Sequence, residues 1–199
     1  MDLSGLGRHT PSTITDAPRE AAVLAPVIRR AGADHLLFTK RADHLGEHPG
    51  QMSFPGGGRE PSDDSLEETA LREAYEEVGL FRDEASVAGR LDDVQTTTKY
   101  AVRPFVATAP DREYHPDESE VAEVVVLAVD DLTDPANYES ERRDHPEYGA
   151  HRIHFFHVDG YTVWGATGRM VVQLLEWTTD WRMPAEADRV VDPDADLPV

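Results

Sequence analysis

At 199 residues the chain fits one domain with short extensions, because compact domains usually hold about 100–200 residues around one core. The absence of cysteine excludes disulfides and thiolate metal sites, and the longest apolar run, residues 124–129, falls far short of the roughly 20 needed to cross a bilayer. The formal charge of −20, from 39 Asp and Glu against 19 Lys and Arg of which only Lys40 and Lys99 are lysines, excludes a nucleic-acid partner.

The N-terminus lacks the basic start and apolar stretch of a secretory signal, so a cytoplasmic location is expected. So acidic a surface also repels a phosphorylated substrate in dilute buffer. The Debye length shrinks to about 3 Å near 1 M salt, where that repulsion is screened. An acid-rich, lysine-poor composition therefore points to a halophilic protein of a high-salt cytoplasm, an ordinary acidic protein being the alternative.

In chain order, residues 1–20 are polar with Pro11 and Pro18 and read as an extension. Apolar runs at 21–30 and 35–41, parted by Ala31-Gly32-Ala33-Asp34, predict a hairpin. Residues 46–61, dense in Gly and Pro, predict a loop. Leu66, Ala70, Ala74 and Val78 recur every four residues behind the capping residues 62–65 and before Gly79, which predicts a helix. Strands follow at 87–92, 100–107 and 121–129, then a loop at 130–148, strands at 153–158 and 161–164, and a helix at about 166–177. The order, without a β-α repeat, argues for an α+β domain with a sheet between helices. The proline-bearing acidic tail from Pro184 reads as loosely held.

Glu73, Glu76 and Glu77 stand at i, i+3 and i+4, so their carboxylates share one face, opposite the stripe of Leu66, Ala70 and Ala74. Like charges so spaced repel, near a helix C-terminus that already disfavours anions. A hard cation would relieve the repulsion; a solvated acidic face accounts for the cluster equally well when the helix is taken alone. Ahead of it, Phe54-Pro55-Gly56-Gly57-Gly58 supplies a backbone that can turn sharply and approach an ion or phosphate closely.

Gly58, five residues, Asp64, seven residues, then Arg72-Glu73-Ala74-Tyr75-Glu76-Glu77-Val78-Gly79-Leu80 closely resembles the Nudix box, Gly-x5-Glu-x7-Arg-Glu-U-x-Glu-Glu-x-Gly-U with U aliphatic, Asp64 replacing the first Glu. The resemblance implies an α/β/α sandwich with a central mixed sheet, and a loop, helix and loop that holds Mg²⁺ or Mn²⁺ against a diphosphate. By position it makes Glu76 and Glu77 metal ligands, Glu73 a ligand or base, Arg72 the residue orienting a glutamate, and Gly57 or Gly58 a carbonyl donor. The resemblance offers as the alternative base a later segment, where Glu118, Glu120 and Glu123 lie, with Glu120 taken as the catalytic candidate.

Leu37-Phe38-Thr39-Lys40-Arg41-Ala42, three residues, Gly46, three residues, then Gly50 through Phe54-Pro55-Gly56-Gly57 resembles the coenzyme A pyrophosphatase signature of this family. Phe38 replaces its second Leu, and Gly46 replaces an Arg. The loop between Gly57 and Arg72 has this subgroup's one-residue-longer spacing. The resemblance implies coenzyme A as the small-molecule nucleotide substrate, with Arg41, Lys99 and Arg103 as phosphate-binding cations and Tyr100 for stacking on adenine. ADP-ribose or NADH is the alternative substrate, and a non-catalytic nucleotide-binding module the alternative of another class. The chain divides into an extension at 1–20, a Nudix domain at 21–182 and an acidic tail at 183–199; a homodimer stays open. The histidines form no HxxEH or HExxH pattern and read as surface residues.

Overall fold

The computed structural model describes residues 1–45, 50–96, 98–145, 149–192 and 195–197. Gly46 and His48, of the substrate-signature loop, and Thr97 lie outside them. β1 (Arg19–Arg30) and β2 (Ala33–Arg41) form the expected hairpin, and the short β3 (Met52–Ser53) and β4 (Gly56–Gly58) follow. After them come α1 (Leu66–Val78), β5 (Ser86–Arg90), β6 (Val94–Gln95), β7 (Tyr100–Ala109) and β8 (Val121–Ala128). The chain then forms α2 (Val129–Thr133), β9 (Tyr138–His145), β10 (Gly149–Val158), β11 (Tyr161–Trp164), α3 (Gly165–Thr178) and β12 (Arg189–Val191).

Among the described residues, one sheet has the order β3-β2-β1-β7-β5, with β8 on β2, β4 on β1 and β6 on β7. β1 and β7 run parallel and the other pairs antiparallel, so the sheet is mixed. Alternation along each strand divides the core in two. Ala22, Leu24, Ile28, Leu37, Phe105 and Ala107 meet Leu66, Ala70, Ala74 and Val78 of α1. Ala21, Val27, Leu36, Phe38, Val102 and Val106 face Met170, Val171, Leu174 and Leu175 of α3. The sheet thus lies between helices, the α/β/α arrangement expected. No helix among the described residues is long and apolar enough to cross a membrane.

Four stretches differ from expectation. Within 46–61, β3 pairs with β2 and β4 with β1, because glycines allow a strand to be squeezed between the sheet and a helix. Within 130–148, expected as a loop, lie α2, a 3₁₀ turn and β9, which belongs to a second sheet of order β11-β10-β9-β12. β9 reads Tyr-Glu-Ser-Glu-Arg-Arg-Asp-His, without the apolar alternation that marks a strand. It is held by pairing, with Glu141 and Arg143 buried against each other at 2.7 Å. The tail is fastened where Ser140 donates to Asp188 and β12 pairs with β9. At the other end, residues 1–20 place Leu6 in the core beneath Gly89.

Candidate active site

Helix α1 starts where the Ser65 hydroxyl accepts from the Glu68 N–H, and stops at Gly79 in the left-handed conformation, φ 68°. Its apolar stripe packs on β1, which turns Glu73 and Glu77 toward the glycine strand β4. That strand needs its glycines. A Cβ on Gly56 would lie 2.6 Å from the Val23 Cα, and one on Gly57 would lie 2.5 Å from Glu73 Oε1, so the Glu73 carboxylate rests on bare backbone. The Gly56 N–H donates to Glu77 Oε2 at 3.3 Å.

Arg72 organises the helix face. Its Nη1 reaches Glu73 Oε1 at 2.9 Å and Glu76 Oε2 at 2.8 Å, and its Nη2 donates to the Gly58 carbonyl at 3.1 Å. Asp63 grips the same guanidinium, Nε to Oδ1 at 3.0 Å and Nη2 to Oδ2 at 3.1 Å, while accepting from Thr69 and from the Glu60 N–H. The hydrogen bonds from Arg72 hold the buried Asp63 carboxyl well below the usual carboxylate range. Asp63, not Asp64, therefore fills the role of the motif's first acid. The sequence signal was the loop's extra residue, which shifts the acid that reaches Arg72 by one.

The loop 115–121 closes on the end of α1, with the His115 N–H donating to the Val78 carbonyl and the Asp117 N–H to that of Glu77. The Ala42 N–H donates to the Glu120 carbonyl, which brings the ends of β2 and β8 together beside the helix. Burial pushes the Glu77 carboxyl up to about 8, and repulsion from Glu73 and Glu120 adds to it, against the pull of the Gly56 N–H and Arg41. Glu73 is pushed up by burial too, with Arg72 opposing Glu76 and Glu120. Four carboxylates thus share one field. Glu123 accepts from the Tyr161 hydroxyl at 2.7 Å.

A donor set of mutually repelling oxygens, two of them resisting ionisation, suits a hard divalent cation, which would lower those pKa values by coordination. Glu73, Glu76 and Glu77 could hold it with the Gly57 carbonyl, whereas the Gly58 carbonyl is engaged by Arg72. Among the described residues no three of these groups already stand as a finished cage.

Of the expected substrate residues, Arg41 lies by Glu77. Lys99, Tyr100 and Arg103 lie apart from the carboxylates, across β1 on β7 and the turn before it. Lys99 adopts a left-handed turn conformation, φ 65°. Arg103 is clamped by the buried Asp93 at 3.0 and 2.9 Å, a long-range partner that no motif announces. The Tyr100 ring lies under Arg19. Among the histidines, His154 is buried and bonds Tyr138 at 2.9 Å instead of facing solvent.

A sheet between two helices and a glycine strand that seats acids on a helix are the outline of a diphosphate-splitting hydrolase. The NUDIX domain family matches residues 18–148, and the chain belongs to that family of pyrophosphohydrolases, which act on small nucleotide substrates with divalent cations. Curated relatives named Uncharacterized Nudix hydrolase NudL include one from Enterobacter sp. (strain 638), 39% identical over 78% of this chain and 81% of its own. Another, from Yersinia pestis (strain Pestoides F), is 36% identical over 79% of each chain. Among solved structures, a C. elegans Ap4A hydrolase binary complex is similar over 66% of this chain and 90% of its own, with TM-score 0.49 and 18% identity.

Proposed function

We propose that the chain hydrolyses the diphosphate of coenzyme A to 3′-phosphoadenosine 5′-phosphate and 4′-phosphopantetheine. The observation that carries the reading is what the signature flank builds. Thr39 and Ser53 hydroxyls meet at 3.0 Å, Phe38 and Phe54 stack at 4.8 Å, and the Arg41 N–H donates to the Gln51 carbonyl at 3.0 Å. This brace between β2 and β3 carries Arg41 and Gly56 beside Glu77, and that proximity is what supports the reading.

In the reaction, Asp63 fixes Arg72, and Arg72 holds Glu73 and Glu76 in place. Arg41 offers charge-assisted hydrogen bonds to a phosphate oxygen. Glu120, exposed and outside the Arg72 network, takes the proton of the attacking water as its oxygen bonds to phosphorus and the bridging P–O bond breaks. Glu73, Glu76, Glu77 and the Gly57 carbonyl would hold the Mg²⁺ or Mn²⁺, which would supply screening of the diphosphate charge and a lowered pKa for the attacking water.

ADP-ribose or NADH is the second reading. It is favoured by Arg103, which Asp93 engages and which is therefore not open to a 3′-phosphate. We place the protein in a high-salt cytoplasm on its charge of −20. Purified protein with Mg²⁺ in molar KCl, assayed against coenzyme A, NADH and ADP-ribose, tests these readings. Preference for coenzyme A supports the first, and tight binding without cleavage of any would leave a non-catalytic nucleotide-binding module.

A further inference from the structure

A cavity of about 590 Å³ opens at the Gly58 end of β4, between residues 14–20, residues 58–63 and Tyr100. It lies at the same end of the sheet as the active site: Ala22 of β1 pairs with Gly57 on one side, and Arg19 of β1 pairs with Tyr100 on the other. Gly58, whose carbonyl binds Arg72, lines it, so the cavity adjoins the catalytic helix. Its size falls within the roughly 300–1,000 Å³ of small-molecule sites.

Its lining carries the carboxylates of Glu20, Glu60 and Asp63 beside the guanidinium groups of Arg19 and Arg59, and Glu20 and Asp63 are paired with Arg59 and Arg72. Arg19 lays its guanidinium 4.3 Å from the Tyr100 ring centre, and is fixed there by donating to the Thr98 carbonyl at 2.9 Å and the Tyr100 hydroxyl at 3.3 Å. These partners are neutral. Among the described residues Arg19 forms no ion pair, in contrast to Arg59, which meets Glu20 at 3.2 Å, and Arg103, which meets Asp93. Arg19 is exposed, so one face of its planar group lies on Tyr100 and the other is open. A prearranged cationic plane next to apolar Ile14, Ala17 and Pro18 suits a flat aromatic ring attached to an anion. Nucleobases stack on guanidinium and aromatic planes in this way.

The outer wall is held in place. The Ile14 N–H donates to Asp93 Oδ2 at 3.0 Å, and Arg90 and Arg103 clamp the same carboxylate. Ile14, Thr15 and Ala17 precede the stretch that matches the family, residues 18–148. The wall is thus built from residues that precede β1, and Arg103 serves it as a positioning residue through Asp93.

We infer that residues 14–19 close a purine-nucleotide subsite, in which the base stacks on the Arg19–Tyr100 pair and the phosphate end points along β4 toward the carboxylates. As a subsite for the substrate of the hydrolase it rests on the diphosphatase reading, but binding itself does not. The test is calorimetric titration of the full chain with AMP, without divalent cation, beside ribose 5-phosphate, which lacks the base. AMP is expected to bind, about tenfold or more weakly after Arg19→Ala, and still more weakly after Ala17→Trp, which fills the cavity from another side. Ribose 5-phosphate should not distinguish wild type from Ala17→Trp. With Mg²⁺, Arg19→Ala should raise KM for an adenine-bearing diphosphate and leave kcat within about twofold. Failure of wild type to bind AMP, or equal binding by both variants, overturns the subsite. Arg19-dependent AMP binding without cleavage of any diphosphate would leave the subsite standing and remove the diphosphatase reading.

Discussion

Asp63 holds Arg72 through both carboxylate oxygens, Nε to Oδ1 at 3.0 Å and Nη2 to Oδ2 at 3.1 Å, and through that one side chain determines where Glu73 and Glu76 stand. The acid's side chain is only 3% exposed, so its removal leaves a guanidinium without its chief partner. Asp63→Ala should cost about 3 kcal/mol in urea unfolding and lower kcat, while Asp64→Ala stays within about 0.5 kcal/mol. The sign with pH follows from a depressed pKa: the stabilisation is present above the unfolded value, about 4, and is lost as pH falls below it. Equal losses in the two variants would place the anchoring role elsewhere.

The sequence made α1 legible because its apolar spacing, the Ser65 cap and the Gly79 stop all agree on one helix, and the motif glutamates lie on that same rigid element. It made the β1–β2 hairpin legible for a similar reason, a turn between two apolar runs. β9 was hidden, since its pairing partners and the Glu141–Arg143 pair come from tertiary contact and not from local pattern. Motif spacing counts residues along a chain and not the reach of side chains, which is why it points to Asp64 where the loop presents Asp63. Arg103 looked available because Asp93, ten positions earlier, is brought to it only by strand pairing around β7.

Burial first, and then the charges of Glu73 and Glu120, resist ionisation of Glu77, so replacing it with a neutral isostere removes the cost of a buried charge as well as a ligand. Glu77→Gln should keep or raise the melting temperature of the cation-free protein and lower kcat by about a thousandfold or more. Wild type should be stabilised by Mg²⁺ or Mn²⁺ through mass action, and the variant should lose most of that rise. Thermal melts with and without cation, beside turnover, read both effects; retained activity in Glu77→Gln would take the helix out of the chemistry.

Gly57 and Gly56 differ in what a methyl group would meet. At Gly57 it meets the end of the flexible Glu73 side chain, 2.5 Å away, whereas at Gly56 it meets the Val23 backbone at 2.6 Å. Gly57→Ala should therefore displace the carboxylate, lowering kcat/KM about tenfold or more with a stability loss within about 1 kcal/mol. Gly56→Ala should destabilise the fold more than Gly57→Ala, because backbone cannot swing aside. Parallel denaturation and activity measurements compare the pair, and a Gly57→Ala enzyme of full activity would mean Glu73 does not act from that position.

His154 lies 6% exposed against Tyr138, and burial, aided by Arg152 and Arg169, pushes its pKa down to about 4. The unfolded chain takes up this proton near pH 6.5 and the native chain only near 4, so the unfolded state binds more protons in between. Stability should fall as pH drops through that window, by on the order of 2–3 kcal/mol, a range separate from the lower one set by Asp63. Urea unfolding of wild type and His154→Gln across it should show the slope only in wild type; the same slope in both would assign it to other groups.

The formal charge of −20 opposes both compaction and the approach of a phosphorylated substrate. Screening shortens the reach of that field from about 10 Å at 0.1 M salt to about 3 Å at 1 M, less than the separation of most surface charges. Raising KCl across this range should therefore raise the melting temperature and lower KM, with kcat changing less, because the Arg72 network is partly buried and screened little. A neutral osmolyte at matched osmolality should raise the melting temperature without lowering KM, which separates charge screening from general stabilisation. Full stability and an unchanged KM in dilute buffer would show that the local cations, Arg41 foremost, already outweigh the surrounding acids, and would remove the case for a high-salt setting.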